Sequence, residues 1–208
     1  MAQFFSIHPQ NPQMRLIRRA VDIIRAGGVI VYPTDSSYAI GCQLDSRTAL
    51  NRISSIRQLN DKHNFTLLCK DLTQVSRVGR MDNEAFKVIK SLAPGPFTFV
   101  LKATKEVPKQ LQHAKRKTIG VRLPDHRVTE GLLNEFKEPL FSSTLILPGE
   151  QASLVDPYEI RERLEKEVDL VIDSGIVDYT PTTIIAFSDG KPDIIREGKG
   201  GNPFLGAA

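Results

Sequence analysis

The 208-residue sequence predicts a single α/β domain built on a twisted, mixed β-sheet. Three observations carry that expectation. Stretches with helical spacing and short β-branched runs alternate along the chain, with no long linker, repeat or low-complexity tract between them. The composition, 40% apolar and 25% charged, is that of an ordinary globular protein. A compact chain of this length has a radius of gyration of about 17 Å, enough for one substantial core. The alternation is too irregular to demand an all-parallel sheet, which is why a mixed one is expected.

The elements follow in order. Asn11-Pro12 offers an N-cap with proline at the first helical position, Leu16, Ala20, Ile23 and Ile24 recur at helical spacing, and Gly27-Gly28 ends the helix. Val29–Tyr32 reads as a buried strand. Asp45 would cap a second helix with Leu50, Ile53 and Ile56 on its inner face. Phe65–Cys69 reads as a strand, Asp71 as a cap or turn residue, and Asn83–Ser91 as a helix closed by Ala93-Pro94-Gly95-Pro96. Phe97–Lys102, Thr118–Leu123 and Leu140–Thr144 are further strands, with a helix over Val128–Phe136. Asp156-Pro157 repeats the cap-plus-proline start, and Val168–Ile172, Thr183–Phe187 and Ile194–Arg196 are short late strands. The domain is expected to span residues 10–200.

Several function classes are disfavoured. No run approaches the roughly 20 apolar residues of a membrane helix, so no membrane partner is expected. The N-terminus lacks a basic segment followed by an apolar one, so a cytoplasmic protein is expected. Cys42 and Cys69 have no C-x-x-C spacing and no histidine at ligand spacing, and read as reduced, buried thiols. His8, His63, His113 and His126 are scattered, which supports no metal site. Neither a G-x-G-x-x-G nor a P-loop is present, and no catalytic base can be named.

Charge is distributed unevenly. Residues 1–127 carry a net +12 and residues 128–208 a net −8. From Lys102 to Arg122 seven basic residues (Lys102, Lys105, Lys109, Lys115, Arg116, Lys117 and Arg122) face a single acid, Glu106. Such a window attracts polyanions and is the footprint expected of RNA binding, although a solvated basic surface has the same look.

Three hydroxyl or guanidinium clusters stand at strand ends, where α/β sheets hold ligands. Thr34-Asp35-Ser36-Ser37-Tyr38 follows the first predicted strand, Pro181-Thr182-Thr183 enters a late one, and Arg196-Glu197-Gly198 leaves the last. Each could hold a carboxylate or phosphate; each could equally be a turn bonding its own backbone.

These segments carry a resemblance. Tyr32-Pro33-Thr34-Asp35-x-x-Tyr38-x-x-Gly41-Cys42, Pro94-Gly95-Pro96-Phe97-Thr98-Phe99, Val121-Arg122, Pro181-Thr182-Thr183-Ile184 and Arg196-Glu197-Gly198 occur in the order of the YrdC/YciO family. Arg57-Gln58-Leu59 and His63-Asn64-Phe65-Thr66-Leu67 resemble its YciO branch. The resemblance implies a twisted sheet around a concave basic cavity, as in the family's threonylcarbamoyl-AMP synthases, which use ATP, L-threonine and bicarbonate in making threonylcarbamoyladenosine of tRNA. It also implies binding of double-stranded RNA or tRNA. Thr34 and Tyr38 would line the amino-acid end of the cavity, helped by Thr182. Ser142 and Thr144 would contact the nucleotide, ATP or AMP, and Arg196 its phosphate. Mg²⁺ would accompany ATP.

The sequence departs from the family pattern where substrates are positioned. The K-x-R motif reads Arg57-Gln58-Leu59, which keeps one cation and loses the other; Arg57 and Lys62 would have to substitute. Removing a charge-assisted hydrogen bond costs about 1.5–3 kcal/mol, one to two decades of affinity. The S-T-S-A-N motif reads Ser142-Ser143-Thr144-Leu145-Ile146, without its amide. Three readings stand: RNA binding in the threonylcarbamoyladenosine context, a retained synthase, or a variant enzyme that removes or transfers the threonylcarbamoyl group on tRNA.

Overall fold

A computed structural model describes residues 1–59, 65–188 and 191–205. One mixed sheet organises the described chain, with strands β1 (Gln3–Ser6), β2 (Ile30–Pro33), β3 (Tyr38–Gln43), β4 (Thr66–Leu68), β5 (Gly79–Arg80), β6 (Phe97–Ala103), β7 (Thr118–Arg122), β8 (Leu140–Thr144), β9 (Leu170–Asp173), β10 (Thr183–Ser188) and β11 (Lys191–Arg196). Their order across the sheet is β1-β9-β2-β3-β8-β4-β7-β6-β10-β11, with β5 on the side of β6. Parallel pairs (β1 with β9, β4 with β7, β6 with β10) stand beside antiparallel ones (β2 with β3, β3 with β8, β6 with β7), so the mixed sheet is as expected.

Among the described residues six α-helices cover the sheet: α1 (Met14–Arg25), α2 (Arg47–Arg57), α3 (Leu72–Val78), α4 (Asn83–Leu92), α5 (Arg127–Phe136) and α6 (Pro157–Leu164). Strand alternation separates two cores. On one face Val31, Tyr38, Ile40, Leu67, Phe99, Val121 and Phe141 pack against Ala49, Leu50 and Ile53 of α2, Val75 of α3, Ile89 of α4 and Ile160 of α6. On the other, Ile30, Tyr32, Ala39, Leu68, Leu140 and Leu170 pack against Ile17, Ala20, Val21 and Ile24 of α1 and Val128, Leu132 and Leu133 of α5. Each branched aliphatic side chain buried this way contributes about 1.5–3 kcal/mol.

The second face is only partly covered. The core under α1 and α5 takes in β1, β9, β2, β3 and the adjoining ends of β8 and β4. Farther along, the same face of β4, β7, β6 and β10 carries Thr66, Gly120, Arg122, Thr98, Val100, Ile184 and Ala186, which line a cavity instead.

Local details differ from the sequence expectation. The first helix begins at Met14, two residues after the proline, with Gln13 as an N-cap whose side chain makes no cap bond. Its buried stripe is Ile17, Ala20, Val21 and Ile24, one residue round from the expected one, and Leu16 and Ile23 flank it. Ser46 rather than Asp45 caps α2, accepting from the Ala49 N–H. Asp71 does cap a helix, and Asp156 with Pro157 starts α6 as expected. Two strands of more than two residues are new: Tyr38–Gln43, hidden by the hydroxyl-rich turn before it, and Gln3–Ser6, which pairs with Leu170–Asp173 and brings the sheet ahead of residue 10. Cys42 and Cys69 are buried and free, with burial pushing each thiol up to about 12.

Candidate functional site: a cationic cavity on the open half of the sheet

The cavity has a volume of about 460 Å³, within the range of small-molecule sites. Cross-strand register builds its floor. Arg122 lies opposite Leu68 on β4, Phe99 lies opposite Val121, and on β10 Ile184 pairs with Thr98 on one side and Arg196 on the other. Arg122 and Arg196 therefore stand at the two ends of one polar-and-apolar strip, with Thr98 and Ile184 between them. Four arginines line the cavity: Arg57, Arg116, Arg122 and Arg196. No acidic side chain occurs among its described lining residues.

Each of three guanidinium groups is placed by a specific neighbour. Arg122 Nη2 donates to Asp35 Oδ1 at 2.5 Å, an ion pair in which both side chains are 8% exposed. Arg57, in the last turn of α2, donates from Nη1 to Ser143 Oγ at 2.9 Å. Burial lowers the Arg57 pKa from the usual arginine value, and the nearby Tyr179 phenol opposes that shift. Arg196 donates from Nε and Nη2 to the Thr182 carbonyl, at 3.1 and 2.9 Å. Gly198 makes this possible: a Cβ there would stand 2.2 Å from the Pro181 carbonyl and 2.6 Å from that of Thr182. Its value is close approach of β11's exit to β10's entrance.

Hydroxyls fill the spaces between the cations. Thr98 and Thr182 share a hydrogen bond at 2.7 Å, and Tyr32 donates to Ser142 Oγ at 2.8 Å. Thr66, Thr118, Ser37, Ser142, Ser143 and Thr144 complete the polar wall. Phe65, Val100, Ile146, Ile184 and Ile195 supply an apolar wall. The Nε atoms of Arg57 and Arg122 are buried with no hydrogen-bond partner among the described residues. Buried donors are normally satisfied, because leaving one unmade costs about 1–3 kcal/mol.

The expected ligand residues divide. Arg57, Ser142, Thr144, Thr182 and Arg196 come together on the wall. Lys62 lies outside the described residues. Tyr38 is corrected: it alternates with Ala39 to the opposite face, is fully buried, and its hydroxyl donates to the Gly175 carbonyl and accepts from Ser174 N–H. Thr34 is likewise not on the wall. Its hydroxyl donates to the Ser37 carbonyl and accepts from the N–H groups of Ser36 and Ser37, which shapes the turn.

The basic window splits as well. Lys102, Lys105, Lys109, Lys115 and Lys117 are exposed. Arg116 is exposed and also lines the cavity, so the window reaches the cavity mouth. Arg122 is also corrected: two residues on from Gly120 along β7, it points to the cavity floor and pairs with Asp35 rather than facing a surface RNA. Sequence reasoning missed Arg122 as a wall residue, Asp35 as its partner, and Thr98 and Ser143. The Thr118-x-Gly120-x-Arg122 spacing held the signal for the first, since residues two apart on a strand share a face.

The sequence and the mixed-sheet fold that carry this cationic half-face are those of a known family. The chain belongs to the Sua5/YciO/YrdC family, whose model, described as telomere recombination, matches residues 22–198. It is 52% identical over 206 residues to the uncharacterised protein YciO of Escherichia coli K12, covering 99% of this chain and all of that one. The crystal structure of E. coli YciO superposes with a TM-score of 0.92, over 97% of this chain and 98% of that one. The fold extends to Sua5: the crystal structure of P. abyssi Sua5 complexed with L-threonine has a TM-score of 0.85 at 22% identity, over 94% of this chain and 57% of that one.

Proposed function

We propose that this protein binds RNA in the context of threonylcarbamoyladenosine modification of tRNA, with the cavity receiving the threonylcarbamoyladenosine unit or a related adenylate and the basic rim holding RNA phosphates. The observation that carries the reading is the set of four arginines around the cavity, two of them with an Nε that is buried and unpartnered among the described residues, and no acid in the described lining. Such a wall suits a ligand with carboxylate and phosphate groups. Val100, Ile146, Ile184 and Ile195 offer a surface for a base. The exposed Lys102, Lys105, Lys109, Lys115 and Lys117, continuing from Arg116 at the mouth, suit a polyanion wider than the cavity.

Binding is favoured over synthesis for two reasons. The described lining residues include no His, Asp, Glu or Cys, so none of them is an ordinary general base. At the altered K-x-R motif, Gln58 turns the chain through a left-handed cap and Leu59 brings no donor. A retained synthase is the second reading, favoured by Arg57, Ser142, Thr144, Thr182 and Arg196 all lining the cavity. For that reaction Mg²⁺ would enter on the triphosphate, because no cluster of three His, Cys, Asp or Glu exists among the described residues.

Equilibrium binding of AMP tests the cavity, and Arg196→Ala should weaken it at least tenfold. Equal affinity in the two proteins would remove Arg196 from the site. Threonine-dependent pyrophosphate release from ATP, threonine, bicarbonate and Mg²⁺ separates the readings. Release above a heat-inactivated control would establish the synthase, and none with AMP binding intact would favour the RNA reading.

A further inference from the structure

The phenol of Tyr32 reaches the cavity wall from the core beside it on the same face of the sheet. Its ring lies fully buried among the residues packed against α1 and α5, and its hydroxyl has one partner among the described hydrogen bonds, Ser142 Oγ at 2.8 Å. Gly41 creates the passage. Gly41 lies opposite Ser142 in the β3–β8 ladder, and a Cβ on it would stand 2.9 Å from the Tyr32 hydroxyl and 3.0 Å from the ring. With alanine at 41 the phenol could not cross to β8.

The polarity of this hydrogen bond follows from burial. A phenol has one proton, and in this site that proton has one described acceptor, Ser142 Oγ. Pointing it elsewhere would leave a buried donor unmade, which the fold avoids. The phenol also stays protonated, since burial raises its pKa far above neutrality despite the opposing Ser142 hydrogen bond and the nearby Arg122 charge. Ser142 Oγ is thereby engaged as an acceptor. Its own proton is left to donate elsewhere, and Ser142 lies on the cavity wall.

We infer that Tyr32 is a positioning residue that occupies one acceptor site of Ser142 Oγ and so turns the serine's own proton towards the cavity ligand. The inference rests on the nucleotide-type cavity proposed above and adds a rule of specificity to it: the ligand atom at Ser142 is an acceptor, such as a phosphate, carboxylate or carbonyl oxygen. A ligand presenting an N–H there has only the second lone pair of Ser142 Oγ to bond and leaves the serine proton without that acceptor, so it is disfavoured. Arg57, bonded to Ser143 on the neighbouring position of β8, is a second donor group nearby and strengthens the same preference.

A double-mutant cycle on AMP binding tests this. Tyr32→Phe frees the Ser142 rotor and should weaken AMP about fivefold; Ser142→Ala removes the donor and should weaken it about tenfold. The double variant should bind no more weakly than Ser142→Ala alone, because Tyr32 acts through Ser142. Structural damage from removing the phenol would persist in the Ser142→Ala background. The Tyr32 hydroxyl proton, shielded from exchange, should move downfield on AMP addition in the unmodified protein and stay unmoved in Ser142→Ala. Unaltered AMP affinity in Tyr32→Phe, or fully additive effects, would overturn the positioning role while leaving the cavity assignment intact. Failure of the unmodified protein to bind AMP at all would overturn the cavity assignment and this inference with it.

Discussion

Arg122 and Asp35 join two distant parts of the chain through a buried ion pair, β7 on one side and the turn after β2 on the other, with 2.5 Å between Nη2 and Oδ1. The pair is single-pronged: Asp35 Oδ2 and Arg122 Nε have no hydrogen-bond partner among the described residues. Its asymmetry leaves the guanidinium partly uncommitted on the cavity wall. The carboxylate anchors the arginine, and the turn that carries it is tied by Lys199 Nζ to the Asp35 carbonyl and by Thr180 N–H to that of Ser36.

Asp35→Asn should therefore cost about 3 kcal/mol of stability, the lower end for breaking a buried pair, because the stranded guanidinium opens on the cavity. Urea unfolding measures it, and a decrease of under about 1 kcal/mol would mean that Arg122 finds another partner. The same variant should bind AMP more tightly, since one negative charge beside the cavity is gone.

His126 introduces a pH dependence. Burial lowers its pKa below the ordinary histidine value, with Asp35 and Asp125 opposing, and Nδ1 has no partner among the described residues. The folded state thus takes up the proton less readily than the unfolded chain. Its contribution is complete above the unfolded value of ~6.5 and is lost as pH falls through that value towards the lower folded one. The urea midpoint of the unmodified protein should fall more steeply from pH 7 to pH 5 than that of His126→Gln. Parallel profiles would show that His126 does not titrate differently on folding.

Charge reversal of Lys115, Arg116 and Lys117 should flatten the salt dependence of duplex RNA binding. Every RNA phosphate deprived of its cationic partner reduces the log–log slope by roughly 0.7–0.9. A change of about two units would assign these residues to the RNA surface, and an unchanged slope would exclude them.

Gly41→Ala should be poorly tolerated. Its Cβ would meet the Phe141 carbonyl at 2.4 Å as well as the Tyr32 hydroxyl, and neither can withdraw without breaking the β3–β8 ladder or the bond to Ser142. A destabilisation of about 2–3 kcal/mol in thermal or urea unfolding is expected. A near-neutral variant would show that the two strands separate easily.

Much of the fold is written locally. The strands Leu140–Thr144 and Phe97–Ala103 announce themselves by β-branched and aromatic residues, and Asp156-Pro157 by cap chemistry. Tyr38–Gln43 is harder to see, because its polar approach and its glycine look like turn residues, while Gly41 is there to admit a tyrosine from across the sheet. The site is legible to the extent that it stands on motifs: Arg57, Ser142, Thr144, Thr182 and Arg196 converge. Thr34 and Tyr38 do not, and for different reasons. Thr34 uses its hydroxyl inside its own turn, and Tyr38 is turned to the far face by strand parity. Arg122 looks in the sequence like one more cation in a basic window; its spacing from Gly120 puts the two on one face, and the cross-strand register shows that face to be the floor rather than the rim.

Whether the cavity recognises the modified nucleoside is decided by equilibrium binding, at one fixed salt concentration, of a tRNA carrying threonylcarbamoyladenosine and the same tRNA lacking the modification. With the cavity holding that unit, the modified tRNA should bind at least tenfold more tightly, and excess AMP should erase the difference. Equal affinities, untouched by AMP, would contradict the proposed function and leave the cavity without a role in RNA recognition.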